Sequence, residues 1–296
     1  MSSFYQAVAG TLESNVAPGA GTKAIKAANY FPFPVRLYHL NASGRRDRYW
    51  YLGVDSNSEP GGAQWACSIG EWSVGDTFVW LDAFTGALIA ASVVNETYDH
   101  IDLMPTFLHG PNDIGPVPQP TTDAQIPRDT AAACVGYGQI SYATSPVSED
   151  VGFSETGDGW VIRSQRWRMQ AHSCTLAPGE TREISYSVSE GMQTTTSVQA
   201  NVAASLSLSA NIGWGPIGAS LSGSFSASGS ISAQATMSSE TDVYMTEELS
   251  NPSATSVSTI LRWQLIERFS FVTADGKPIA VVDNALSPVV TKAYGQ

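Results

Sequence analysis

Four histidines, His39, His100, His109 and His172, are the side chains best suited to acid–base or metal chemistry. They are scattered along the chain. His100 lies near Asp99 and Asp102, with His109 a few residues later, so a metal site is conceivable there, but no recognised ligand spacing results. The three cysteines, Cys67, Cys134 and Cys174, are odd in number and far apart; at most one pair can bridge, and buried free thiols are the expectation. Glu240 and Asp242 fall on one wet strand face without a pocket signature around them. No nucleophile elbow, phosphate loop or dinucleotide fingerprint occurs. These residues predict no catalysis, no cofactor and no resident metal.

Two other groups are built for contact. Arg163, Arg166 and Arg168, with Trp160 and Trp167, form the most basic patch of an acidic chain. Such a patch suits an acidic neighbouring copy or a phosphate headgroup, or else is a solvated strand face. Tyr49, Trp50, Tyr51, Trp65, Trp72, Trp80 and Phe84 crowd one short region. Tyrosine and tryptophan join a large apolar surface to a polar tip, which suits glycans and headgroups. Trp50, Trp65, Trp72 and Trp80 are therefore the candidate receptor-binding residues, although any single one of them is more often core.

The element around which the rest is arranged runs from Gly191 to Ser239 and contains no Asp, Glu, Lys or Arg. From Ile184 to Trp214 the apolar residues sit on even positions and most of the Ser, Thr, Gln and Asn on odd ones, with Gly191, Ala203 and Gly213 as neutral fillers. After Gly215-Pro216 the parity reverses, with Ile217, Leu221, Phe225 and Ile231 now odd and serines even. Period two marks a strand with one oily and one wet face. A reversal of parity is what an antiparallel hairpin needs, because paired residues share a face. If Trp214 pairs with Ile217, residue i pairs with residue 431 − i, and Gly-Pro fits a type II′ turn.

Globular strands run about 5–6 residues, and each arm here could run several times that. A tilted transmembrane strand needs about 9–11. Lipid penalises a midplane Lys or Arg by about 2–4 kcal/mol, whereas a watery lumen accepts serine. The pattern predicts a lipid face of Val198, Val202, Leu206, Leu208, Ile212, Trp214, Ile217, Leu221, Phe225 and Ile231. The predicted lumen face carries Ser205, Ser207, Ser209, Ser222, Ser224 and Ser226. One hairpin leaves open edges, which lipid does not tolerate, so several copies must close the barrel. Competing readings are a fibrous or solenoid stalk, for which no fixed repeat is visible, and an ordinary sandwich hairpin with a solvated serine face.

The charge-free Ser/Thr-rich hairpin, with Glu190, Glu240 and Asp242 at its borders, resembles the insertion loop of aerolysin-like β-pore-forming toxins of the epsilon-toxin and mosquitocidal-toxin type. The resemblance spans roughly residues 175–272 and rests on pattern. It implies a monomer that is soluble when made, a separate receptor-binding head, ring assembly, and refolding of the loop into a shared barrel. The alternative function is a lectin-like or structural β protein that uses the hairpin as a rigid arm and never inserts.

Along the whole chain, short alternating runs between Gly and Pro clusters predict an all-β protein. Residues 1–104 read as a small β-sandwich or barrel and putting the aromatics there makes it the candidate head. Within it, Lys23 to Ala28 begins a short helix or frames the next strand. Residues 105–127, with Pro105, Pro111, Pro116, Pro118, Pro120 and Pro127, read as a linker. Residues 128–296 read as an elongated pore-forming region, with the insertion hairpin at about 191–243 and a long strand at Val257–Val272 against which the stored hairpin would pack. A net charge of −12 argues against nucleic acid and against simple capture by anionic lipid. The expected partners are target-membrane lipids, a receptor or glycan, and further copies of the chain. The first residues show no basic-then-apolar leader, and no apolar run is long enough for a transmembrane helix. The expectation is a protein soluble when made that acts outside its producing cell, by an export route the residues do not show.

Overall fold

The computed structural model describes residues 13–16, 19–54, 63–104, 129–146, 156–170, 173–194, 200–212, 241–285 and 289–295. The proline-rich stretch 105–127 and the second arm of the charge-free segment lie outside them. Among the described residues the fold is all-β, as the alternating runs predict, and contains no helix. The strands are β1 (Thr22–Asn29), β2 (Val35–Leu40), β3 (Arg46–Leu52), β4 (Trp65–Ser73), β5 (Thr77–Asp82), β6 (Leu88–Val93), β7 (His100–Leu103), β8 (Ala133–Pro146), β9 (Thr156–Met169), β10 (Cys174–Leu176), β11 (Thr181–Thr194), β12 (Ala200–Ile212), β13 (Thr241–Ser250), β14 (Ser258–Thr273), β15 (Pro278–Ala285) and β16 (Val290–Gly295). Lys23 to Ala28 is strand, not helix: it pairs with β4 and β7, and its Ile25 and Ala27 enter the core.

A small sheet, β4-β1-β7, faces a long one ordered β13-β11-β15-β14-β9-β8-β6-β5-β2-β3, with β10, β12 and β16 attached off that path. Strand β5, Thr-Phe-Val-Trp-Leu-Asp, is buried on both faces, which explains its unbroken apolar run. Phe78 and Trp80 point into the main core with Phe31, Phe33, Leu37 and Ile69. Val79 and Leu81 join Leu88, Val135 and Leu265 in a second cluster on the other side.

The core runs across the boundary read at the proline-rich stretch. Cys134, Tyr137 and Ile162, from β8 and β9, belong to the same cluster as the N-terminal strands. Phe31 and Phe33 sit 5.5 and 5.1 Å from the Tyr137 ring, and Phe33 lies 5.9 Å from Trp160. The ends of β8 and β9 thus supply side chains that fill the N-terminal sandwich.

Strand β14 is the spine of the second half, flanked by β9 and β15 and joined by β10 and β16. Its close pairing with β9 needs a glycine: a Cβ on Gly159 would meet the Val272 carbonyl oxygen at 2.1 Å. The predicted Asp275-Gly276 turn joins β14 to β15, with Gly276 at φ +85°. A side chain at Gly276 would also strike the Phe84 ring at 2.9 Å, so this turn packs directly on the N-terminal half.

The arginines of β9 do not form one patch. Strand alternation sends Arg163 to one face, where it is fully buried and ion-paired with the equally buried Glu267, which also accepts from Gln165 Nε2 at 3.1 Å. Arg166 and Arg168 lie on the other face.

Candidate functional site

The two strands that enter and leave the charge-free segment form an antiparallel stem. β11 pairs with β13 from Thr181↔Ser250 to Glu190↔Thr241 without a register shift. Every pair obeys i with 431 − i, the relation demanded by the parity reversal at Gly215-Pro216. Burial follows the same parity. Tyr186 and Val188 are 7% and 2% exposed, while Ser185 lies outside and bonds Thr246 hydroxyl to hydroxyl at 3.1 Å. Ser189 Oγ donates to Asp242 Oδ1 at 2.9 Å on that wet side.

At its lower end the stem is fixed by apolar contact and a turn. Leu249 packs with Leu176 and Ile260, and Ile184 lies against them. The buried Asn251 amide donates to the carbonyls of Leu176, Ala177 and Ser256 at 3.2, 3.0 and 2.9 Å, holding the loops on both sides of the stem.

Higher up, the contacts with the spine are polar. The Arg262 guanidinium, fully buried on β14, lies 4.1 Å from the centre of the Tyr186 ring and reaches Glu247 Oε2 at 3.4 Å. Thr291 Oγ1 donates to the same Glu247 oxygen at 3.0 Å. Gln264 Nε2 donates to the Ser189 carbonyl at 2.9 Å, and its own oxygen accepts from Gln170 at 2.7 Å. A seam of this kind can exchange its hydrogen bonds for water at a net cost of about 0.5–1.5 kcal/mol for each neutral bond and about 1.5–3 kcal/mol for each bond to a charged group.

Past Glu190 the strand changes partner. Gly191–Thr194 pairs with β15 instead of β13. β12 then lies antiparallel to β8, with Leu206 opposite Ile140, Ser205 opposite Ser141 and Ser207 opposite Gln139. An irregularity follows before Ile212 meets Tyr137. Of the predicted lipid-face residues, the structure places Val202, Leu206, Leu208 and Ile212 on β12, with Ser205, Ser207 and Ser209 between them. Val198, Trp214, Ile217, Leu221, Phe225 and Ile231, and Ser222, Ser224 and Ser226, lie outside the described residues. The stored first arm is thus strand-paired to β8, while the stem packs on the predicted long strand β14. The β8 partnership was not legible in the sequence, since parity fixes a face and not which edge the strand joins.

The candidate receptor tryptophans separate by burial. Trp80 is fully buried and donates Nε1 to Ser92 Oγ at 2.9 Å. Trp72, 7% exposed, donates to the Ile69 carbonyl and packs edge-on against Phe78. Both fill the sandwich, which corrects their assignment as surface contacts. Trp50 is half-buried against the same core. Trp65 is exposed, as are Tyr49 and Tyr51 on β3. Alternation along β3 turns Tyr49 and Tyr51 outward while Leu52 enters the core.

The two described histidines, His39 and His100, pair with carboxylates. His39 Nδ1 meets Asp47 at 2.7 Å, while Nε2 meets Asp76 at 3.2 Å and Ser14 Oγ at 3.3 Å. The Ser-His-Asp order has the look of a hydrolytic triad, but the Ser14 hydroxyl donates to the Leu40 carbonyl and accepts from Thr77 N at 2.9 Å. That hydroxyl is committed on both sides, and the ring stacks 4.4 Å from Trp72 inside the sandwich. His100 reaches Asp99 and Asp102 at 3.2 and 3.7 Å, and among the described residues no cluster of three or more metal-ligating side chains forms. His109 and His172 lie outside the described residues.

No family model matches the chain, and no curated protein matches its sequence. Among solved structures it is similar to the crystal structure of Cry35Ab1, with 11% identity over 96% of this chain and 91% of that one, and a TM-score of 0.34.

Proposed function

We propose that this chain is an aerolysin-like pore-forming protein: copies gather on a target membrane, and each contributes residues 191–240 as a hairpin to a shared transmembrane β-barrel. The observation that carries this reading is the stem register. The unslipped ladder from Thr181↔Ser250 to Glu190↔Thr241 has its midpoint between Gly215 and Pro216. The ladder can therefore grow by zipping, pair after pair, with no change of register until it meets the turn.

Zipping moves Gly191–Thr194 off β15 and β12 off β8 and gives each arm the twenty-four residues from 191 to 214 or their mates. At about 3.3 Å per residue and about 40° of tilt, such an arm rises about 60 Å, against about 30 Å of hydrocarbon. In the barrel the even positions of the first arm and the odd positions of the second face lipid, and the serines face the lumen. Trp65, Tyr49 and Tyr51 give the N-terminal half an exposed aromatic surface for a receptor or glycan. Nothing in this mechanism calls for a cofactor or a catalytic residue. It acts outside the cell that makes it.

Leu208→Arg and Phe225→Lys test the lipid face. Both variants should remain folded and soluble, while dye release from receptor-bearing or target-membrane vesicles falls by at least about tenfold, because each copy places one charge in the bilayer. Parental leakage from both variants would overturn the assignment. Parental binding with no detergent-resistant ring would favour a protein that docks and never inserts.

A further inference from the structure

Arg166 and Arg168, on the even-numbered face of β9, take no part in the stem. Registers Arg268↔Ser164 and Arg268↔Asp283 bring Arg166, Arg268 and Asp283 to one face of three adjacent strands. Arg268 commits one edge to Asp283, to which its Nε and Nη2 donate at 2.6 and 2.8 Å, and keeps its outer edge. Arg166 is different. Its side chain is 15% exposed, and its ion pairs among the described residues are long, 3.6 Å to Asp129 and 3.5 Å to Asp283. Among the described residues none accepts a hydrogen bond from its guanidinium. Burial, and then the neighbouring Arg268, hold it below the ordinary arginine range. Among the described residues of this face, three guanidiniums, counting Arg168 at 3.4 Å from Asp129, meet two carboxylates.

Arg166 and Arg268 line a cleft of about 280 Å³. The Ser164 and Ser270 side chains stand on the same strands as these arginines, and Phe84 supplies an apolar wall. The Thr85–Ala87 loop forms part of its rim, held by Asp82, which accepts from Phe84 N, Thr85 N and Ala87 N at 3.1, 2.6 and 2.8 Å. At about 30 Å³ per water the cleft holds about nine. That exceeds a bare phosphate and leaves room for a small organic substituent against the aromatic wall.

We propose that this cleft is a binding site for a phosphoryl group carrying a short organic substituent, with the open donors of Arg166 taking its oxygens. A guanidinium presents paired N–H donors that match phosphate geometry. A phosphomonoester offers three terminal oxygens, enough to meet Arg166, the outer edge of Arg268 and a serine hydroxyl together, where a carboxylate offers two. The same chemistry can arrive as a soluble phosphomonoester or as a lipid headgroup.

Calorimetry on the full chain in solution, at constant ionic strength set with chloride, tests this with inorganic phosphate, glycerol phosphate, and vesicles with and without phosphatidic acid. The expected result is saturable binding of glycerol phosphate, tighter than inorganic phosphate, lost by at least about tenfold in Arg166→Gln and kept in Arg168→Gln. Saturable binding to the phosphatidic acid vesicles alone, lost in Arg166→Gln, supports the site and assigns the lipid source. If circular dichroism shows that Arg166→Gln does not fold, Ala132→Phe, which fills the cleft from another wall, must abolish binding. No saturable binding to any of these probes overturns the proposal, as does parental affinity in the folded Arg166→Gln or Ala132→Phe variant. Soluble binding is read without pore formation, so its loss leaves the barrel reading untouched.

Discussion

At the scale of single residues, Glu247 has the most to hold in the seam. Its carboxylate is the acceptor for buried Arg262 and for Thr291. Glu247→Gln keeps the shape and removes the countercharge, which should cost about 1–3 kcal/mol in urea unfolding, as for a buried charge left partly uncompensated. It should also speed vesicle leakage, since the seam opens more readily; an unchanged leakage rate in a destabilised variant would separate the seam from release. Tyr137 gives a pH test of the shared core. Burial, and then Cys134, push its phenol up to about 12. An unfolded tyrosine titrates near 10, so between about pH 10 and 12 the unfolded chain releases a proton that the folded one keeps. The unfolded state then binds fewer protons, and stability must fall as pH rises through that window. The urea midpoint should drop between about pH 10 and 12, and Tyr137→Phe should flatten part of that slope. Residue roles were legible in the sequence only where parity governs them. Arg163 is odd and Arg166 even, so their separation onto opposite faces could be read directly, whereas nothing in the spacing distinguishes exposed Trp65 from buried Trp80.

At the scale of elements, the segment is held in two different ways. The stem is already in the register of the proposed barrel, and the first arm is parked on β8. The stem register was legible because a parity reversal around a two-residue turn leaves one solution. The parking place was not, because β8 offers an alternating strand of its own and the choice among edges belongs to tertiary packing. A cross-link between parked strands isolates that choice. Ser141 and Ser205 are direct partners in the β8–β12 ladder. With Cys67 and Cys174 changed to Ser, Ser141→Cys with Ser205→Cys should bridge on oxidation. Cys134 can stay, since burial holds its thiol well above the ordinary range. The oxidised protein should bind vesicles and not leak them, and reductant should restore leakage. Full leakage from the cross-linked form would mean that β12 does not have to leave β8. A second pair, Ser209→Cys with Ser222→Cys, obeys 431 − i and should cross-link in assembled rings.

At the scale of the whole molecule, one core joins both sides of the proline-rich stretch, so the proposed head and spine are coupled through Phe33, Tyr137 and Trp160 and through Phe84 against Gly276. All-β character followed from composition and alternation alone, whereas this joining did not, because prolines mark where regular structure stops and not where a core ends. Charge is distributed just as unevenly. The chain has a net charge of −12, yet residues 191–239 contain none of it, and Glu190, Glu240 and Asp242 stand where the stem meets that segment. In a barrel Glu240 and Asp242, on the lumen parity of the second arm, repeat once per copy around one mouth, next to a lumen of serine and glutamine, with Glu190 beside them on the outer parity. A ring of acidic side chains concentrates cations at a pore entrance. Pores in a planar bilayer under a tenfold KCl gradient should therefore show a reversal potential of cation-selective sign, reduced by raising total salt because the ring is screened. Glu190→Gln with Glu240→Gln and Asp242→Asn should bring that potential close to zero without changing the unit conductance more than about twofold, since the wall itself is uncharged. An anion-selective parent would place these borders away from the mouth and would break the link between the stem register and the barrel.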